Sequence, residues 1–150
     1  MIRPLVKSDA AQLVDLGKEF WHKCNMSKTG DYPKDAIFRR LYSGLLENKI
    51  IGWGYEENKK IVSGIIFVII ENFWLYEKQM QELAWFCSEE KRGSLNNIRL
   101  LKAAEKYAKE NNIRLFCMGG ISGSPSFEKL EKFYNKNGFF ILDRNYLKIL

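Results

Sequence analysis

Residues 81–101 constrain this chain more than any other stretch. They open as an apolar strand, Gln81-Glu82-Leu83-Ala84-Trp85-Phe86-Cys87, and pass through a polar turn, Ser88-Glu89-Glu90-Lys91-Arg92-Gly93-Ser94. An amphipathic helix follows directly. The first turn of a helix leaves backbone N–H groups without intrahelical acceptors, and its dipole adds partial positive charge there. A helix that starts just past a strand aims both at one spot, which suits a phosphate. The rest of the chain is expected to scaffold this unit and to wall in whatever sits on it.

The flanking pattern fills in the scaffold. Residues 1–6 read as a first or edge strand. Ser8 is an N-cap for a helix whose stripe is Leu13, Val14, Leu16, Phe20 and Trp21. Residues 23–32 read as a loop, and Pro33 opens a second helix with Ile37, Phe38, Leu41, Leu45 and Leu46 on its apolar face. Residues 50–55 and 61–70 read as a hairpin, and the second run, apolar on both faces, belongs inside a sheet. Residues 71–78 fit either a bulged crossing or a turn. Past the strand 80–87, Leu95, Ile98, Leu101, Ala104 and Ala108 recur at helical spacing up to Asn111-Asn112. Residues 113–118 form the next strand, so the order implies a parallel βαβ unit. Residues 119–125 read as a turn and 126–137 as a helix closed by Gly138. Residues 139–142 and 146–150 read as two last strands. The expectation is one α/β domain over residues 1–150, a mixed central sheet of about six to seven strands with about four helices on both faces.

Composition removes several classes of function. A chain of 150 residues favours one core. No apolar run approaches the ~20 residues that span a bilayer. Residues 1–9 hold no signal-peptide core, so a cytoplasmic protein with no membrane partner is expected. Cys24, Cys87 and Cys117 fit neither a zinc spacing nor a disulfide framework and read as small buried hydrophobes. His22 is the lone histidine, and no metal is expected. The net charge of +6 suits an anionic cofactor or partner without choosing between them. The basic residues form no stripe interleaved with aromatics, so nucleic-acid binding ranks last.

Taken together, Glu82-Leu83-Ala84-Trp85-Phe86-Cys87-Ser88-Glu89-Glu90-Lys91-Arg92-Gly93, then Ile98-Arg99-Leu100-Leu101-Lys102-Ala103, then Phe133-Tyr134-Asn135-Lys136-Asn137-Gly138-Phe139 resemble the GNAT superfamily of acyl-CoA-dependent N-acetyltransferases, in its bacterial and phage forms. The family's turn runs Arg or Gln, two residues, Gly, one residue, Gly or Ala. It falls here on residues 92–97. Arg92 matches and Gly93 is common there, while Leu95 and Asn97 stand in place of the small residues. Asparagine tolerates left-handed backbone, which leucine does not.

The resemblance implies direct transfer of an acetyl group from acetyl-CoA to an amine in a ternary complex. It implies that Arg92, Gly93, Ser94, Leu95, Asn96 and Asn97 hold the pyrophosphate. A backbone N–H near Phe86 or Cys87 would meet the developing oxyanion. Glu82 would be the general base, and Tyr134 the acid that protonates the leaving thiolate. The acceptor, a small molecule or a protein, would sit near Trp21, Tyr32 and Trp74. Dimers are common in the superfamily, so a homodimer is a further expectation. Cys87 beside the thioester raises an acyl-cysteine route, against which no histidine lies nearby in sequence. Leu95 and Asn97 keep open a catalytically lapsed module that binds acyl-CoA or a protein.

Overall fold

The computed structural model describes residues 1–121 and 127–150. Among them, five strands form one sheet in the order β1-β2-β3-β4-β5: Ile2–Pro4, Ile51–Glu57, Lys60–Glu71, Lys78–Cys87 and Leu115–Cys117. The helices are α1, Ala10–Trp21; α2, Lys34–Leu46; α3, Leu95–Glu110; and α4, Phe127–Lys136. No helix among the described residues is long and apolar enough to cross a membrane.

Local chemistry explains the order of strands. Asn58 and Lys59, both with positive φ, make the two-residue turn that suits the twist of a hairpin between β2 and β3. Residues 72–77 also prove to be a turn, held by Asn72 Oδ1 accepting the N–H groups of Trp74 and Leu75. β4 therefore returns antiparallel to β3, and α3 carries the chain over to a parallel β5, the expected βαβ unit.

Helices cover both faces. Leu13, Val14, Leu41 and Leu45 pack with Ile66 and Phe86 on one face, and Leu100, Ala104 and Ala108 pack with Ile65, Phe67 and Met80 on the other. Each fully buried large side chain stabilises the fold by about 1.5–3 kcal/mol. One irregularity reorients the second half of β4. Ala84 opposes Ile66 and Glu82 opposes Phe67, so Leu83 is an extra residue in β4. Such a bulge resets the strand's alternation. Beyond it Trp85 shares the α3 face with Met80, while Ala84 and Phe86 turn to α1 and α2.

The two expected last strands are absent. Residues 139–142 and 146–150 carry no strand, and the sheet has five strands rather than six or seven. After Gly138, Phe139 packs its ring on Phe116 and Tyr134, and residues 140–150 are exposed, Phe140 at 81%. Alternating apolar residues become a strand only beside a ladder, and β5 offers an edge of three residues. The expected turn at 122–125 and the helix start at Ser126 lie outside the described residues.

Candidate active site

β4 is paired to β3 along nearly its whole length, as far as Ser63↔Cys87, but to β5 only from Gln79↔Leu115 to Gln81↔Cys117. From Glu82 onward the β5-side edge of β4 has no strand beside it among the described residues, and the two strands part into a wedge. The direction of each backbone group there follows from one hydrogen bond. Ser88 N–H donates to Val62 C=O, toward β3. Strand N–H groups alternate between the two edges. The N–H of Phe86 thus also turns to β3, and those of Trp85 and Cys87 turn to the wedge. Of the two expected oxyanion donors, this geometry favours Cys87. Phe86 backs away and packs its ring against Gly17 of α1.

Glu82 and Tyr134 meet across the wedge. Glu82 Oε2 accepts the N–H of Gly119 at 2.5 Å, and Tyr134 donates its hydroxyl to the C=O of the same residue at 2.8 Å. Burial pushes the Glu82 carboxyl up to about 7, and the Gly119 N–H offsets part of that rise. Burial also raises the Tyr134 phenol, helped by the charges of Glu82 and Cys117, so it keeps its proton at neutral pH. The Cys117 thiol is raised by burial, although a hydrogen bond with Gln81 opposes the shift.

The turn below the wedge is built to present backbone. Gly93 has φ +74, which glycine adopts without strain, and the space where a Cβ would stand is open. Neither Leu95 nor Asn97 has positive φ, so leucine in the family's glycine position meets no backbone strain. Leu95 is the first residue of α3 and is 70% exposed. Asn97 turns inward as a brace. Its Oδ1 accepts the Ser63 hydroxyl at 2.6 Å, and its Nδ2 donates to Lys91 C=O at 3.0 Å and to Cys87 Sγ at 3.5 Å. Its amide therefore laces β3, β4 and the turn together and leaves the helix mouth clear. Ion pairs Lys23–Glu89 and Lys91–Glu57 tie the turn to the body. Half-buried Arg92 precedes α3 in the same turn, and the N–H groups of Leu95 and Asn96 open the helix without intrahelical acceptors.

Two buried side-chain polar atoms lack a partner among the described residues: Trp85 Nε1 and Ser94 Oγ. Each such group costs about 1–3 kcal/mol. Both lie on the strand–turn–helix unit. Gly93's open space and the free N–H groups that open α3 fit a phosphate-bearing group. No cluster of metal-ligating side chains occurs among the described residues.

The remaining sequence candidates divide. Trp21 and Tyr32 come together, with ring centroids 5.6 Å apart. Tyr32 donates to Val14 C=O and lies over Gly17 beside Phe86, on the α1 flank of β4's last residues. Trp74 does not join them. It sits 81% exposed on the β3–β4 turn, at the opposite end of β4. Sequence reasoning missed Trp85 and Gly119. Nothing in the sequence marks Trp85, whose N–H direction follows from the bond of Ser88 to Val62. Nothing in the sequence marks Gly119, whose role arises where the end of β5 meets α4.

By sequence the chain matches no family model and no curated protein. By structure it is similar over nearly its whole length to several acetyltransferases. A GCN5-related N-acetyltransferase from Ralstonia eutropha superimposes with TM-score 0.75 at 18% identity, covering 99% of this chain and 97% of that one. A predicted acetyltransferase from Clostridium acetobutylicum, solved with acetyl-CoA, gives 0.74 at 20% identity, covering 100% and 95%. Ribosomal-protein-alanine N-acetyltransferase from Brucella melitensis gives 0.74 at 15% identity, covering 100% and 99%. The chain has the GNAT fold.

Proposed function

We propose that this chain is an N-acetyltransferase that moves an acetyl group from acetyl-CoA directly to an amine. The observation that carries this reading is the β4–β5 wedge, where Glu82 and Tyr134 converge on Gly119 above the N-terminus of α3. Acetyl-CoA supplies an activated thioester; the chain's residues supply position and protons.

Gly93, Leu95 and Asn96 offer N–H groups to the pyrophosphate, with Arg92 adding charge; the N–H of Ser94 is taken by Lys91 C=O. The wedge-facing N–H groups of Trp85 and Cys87 line the edge of β4, and that of Cys87 stabilises the charge that develops on the carbonyl oxygen. A lysine-like amine has a reference pKa of ~10.4 and arrives protonated. Glu82, raised to about 7, is ionised in a useful fraction near neutrality and accepts that proton, directly or through water. Tyr134 holds its proton until the thiolate forms. The burial that raises the phenol raises a thiolate in the same wedge, so the transfer between them is not disfavoured by the shift. Trp21 and Tyr32 flank the acceptor side. Cys87 serves through its backbone, and its Sγ is engaged by Asn97 Nδ2.

The test is thiol release from acetyl-CoA in the presence of a panel of small and peptide amines. Transfer is expected to rise with pH through about 7, following Glu82, and to fall about 10²-fold or more in Tyr134→Phe. A second reading, a module that binds acyl-CoA without transfer, is favoured by exposed Leu95 at the helix mouth. Bound acetyl-CoA with no thiol release for any amine would decide for it.

A further inference from the structure

We infer that Gln81 is a positioning residue for Glu82: its side-chain amide fixes the point at which β4 and β5 part. The inference rests on the reading of Glu82 as the general base.

The ladder between β4 and β5 is short. It runs from Gln79↔Leu115 to Gln81↔Cys117, and Glu82 is the first residue of β4 beyond it. The proton chemistry of the wedge depends on Gly119, just past the end of β5, which donates its N–H to Glu82 and accepts the Tyr134 hydroxyl. The register of this ladder therefore decides whether base and acid meet. Slipping β5 by one residue turns its side chains to the other face and takes Phe116 out of the α3 core. Slipping it by two keeps the faces and moves Gly119 by about 6–7 Å. Met118, which packs in the same core as Phe116, can stand in its place, so apolar burial discriminates weakly against that slip.

Polar side chains at the two ends of the ladder do discriminate. At the near end Arg114 grips the Glu77 carboxylate, but this pair is exposed and contributes little. At the far end Gln81 Nε2 donates to Glu82 C=O at 3.2 Å, and the same side chain hydrogen-bonds Cys117, its partner across the ladder. One amide thus joins the last paired position to the first residue of the wedge. That amide is itself held. Gln81 Oε1 accepts Gln79 Nε2 at 2.8 Å, and Gln79 Oε1 accepts Asn72 Nδ2 at 2.7 Å. Gln79 is 7% exposed, so a broken link in this chain leaves a buried amide unsatisfied.

Gln81→Met keeps the length of the side chain and removes its donor and acceptor. Gly119 N–H is then held less closely to Glu82. That bond lowers the carboxyl, so its loss raises it. The other titratable groups that bear on the site do not compensate. Tyr134 of α4 and Cys117 of β5 are both raised and stay protonated near neutrality, Asp143 beyond α4 raises Cys117 further, and Phe67, opposite Glu82 on β3, is apolar.

The test pairs the pH profile of kcat with carbon NMR titration of the Glu82 carboxyl, assigned by its absence in Glu82→Gln. In Gln81→Met both the rising limb and the titration should move up by about one pH unit. Turnover should fall about tenfold on the acid side of the limb and be unchanged on the alkaline side, with KM for acetyl-CoA unaltered. An equal loss at every pH, or an unmoved carboxyl, overturns the inference. If the chain transfers no acetyl group, the proposed function fails, while the carboxyl titration still decides this point. If Gln81→Met does not fold, the unaltered chain decides: the Gln81 side-chain amide protons should exchange more slowly than those of free glutamine, and equal rates overturn the inference.

Discussion

Around β1 to β3, α1 buries Ala10, Leu13 and Val14 completely, and Arg3 locks the first strand to the start of the helix through paired hydrogen bonds to Asp9 and to β2 through one to Glu56. Around β5, α4 has no fully buried residue, β5 pairs over three residues, and the last residues of β4 face an open wedge. Both regions use similar apolar side chains. They differ in whether each strand edge and helix stripe has found its partner. The first region has spent its groups on itself and sets stability. The second holds its groups in reserve: a carboxyl near neutrality, a protonated phenol, two orphaned donors and free helix N–H groups. Reserve of this kind is what a ligand site needs, and local looseness comes with it.

The contrast is most strongly tested at Glu82. Glu82→Gln should lower turnover by about 10²–10⁴-fold. The same change should raise stability at alkaline pH. The folded carboxyl sits at about 7 against a reference of 4.5. Its protonated form therefore favours the fold below 4.5, and this contribution is lost as pH rises through about 7. At full ionisation the loss reaches about 3 kcal/mol. Melting of the variant and the parent across pH checks it: the curves should coincide in acid, part between about 4.5 and 7, and run parallel above that.

In the closed region Leu13→Ala should cost about 2–5 kcal/mol in urea unfolding, because its site is filled on every side. Asn97→Ala, at the seam between the regions, should cost about 1–2 kcal/mol and weaken acetyl-CoA binding, since the turn loses its brace to Ser63 and Lys91. Leu130→Ala in half-buried α4 should cost about 1 kcal/mol or less. Equal losses at Leu13 and Leu130 would erase the distinction.

The closed region was the more legible in sequence. Its helices and hairpin follow from period and turn chemistry, which act between near neighbours. The site was legible where a residue's role is carried by its own element, as with Glu82 on β4, Gly93 in the turn and Tyr134 on α4. It was not legible where tertiary contact decides. Asn97 stood out only as a departure from the family's small residue and is a brace, because its partner Ser63 comes from β3. Whether Phe86 or Cys87 turns its N–H to the wedge is decided by the pairing of β4 with β3, which takes the N–H of Phe86. Residues 139–150 alternate as strands do, but whether an edge receives them depends on the length of β5.

The most direct measurement of whether the wedge is a coenzyme site is thermal unfolding with and without acetyl-CoA. At about 100 times its Kd, acetyl-CoA should add about 2.7 kcal/mol, a clear rise in Tm, and the rise should shrink in Arg92→Ala. An unchanged Tm at millimolar acetyl-CoA would mean that the open wedge and the helix mouth below it do not form a coenzyme site.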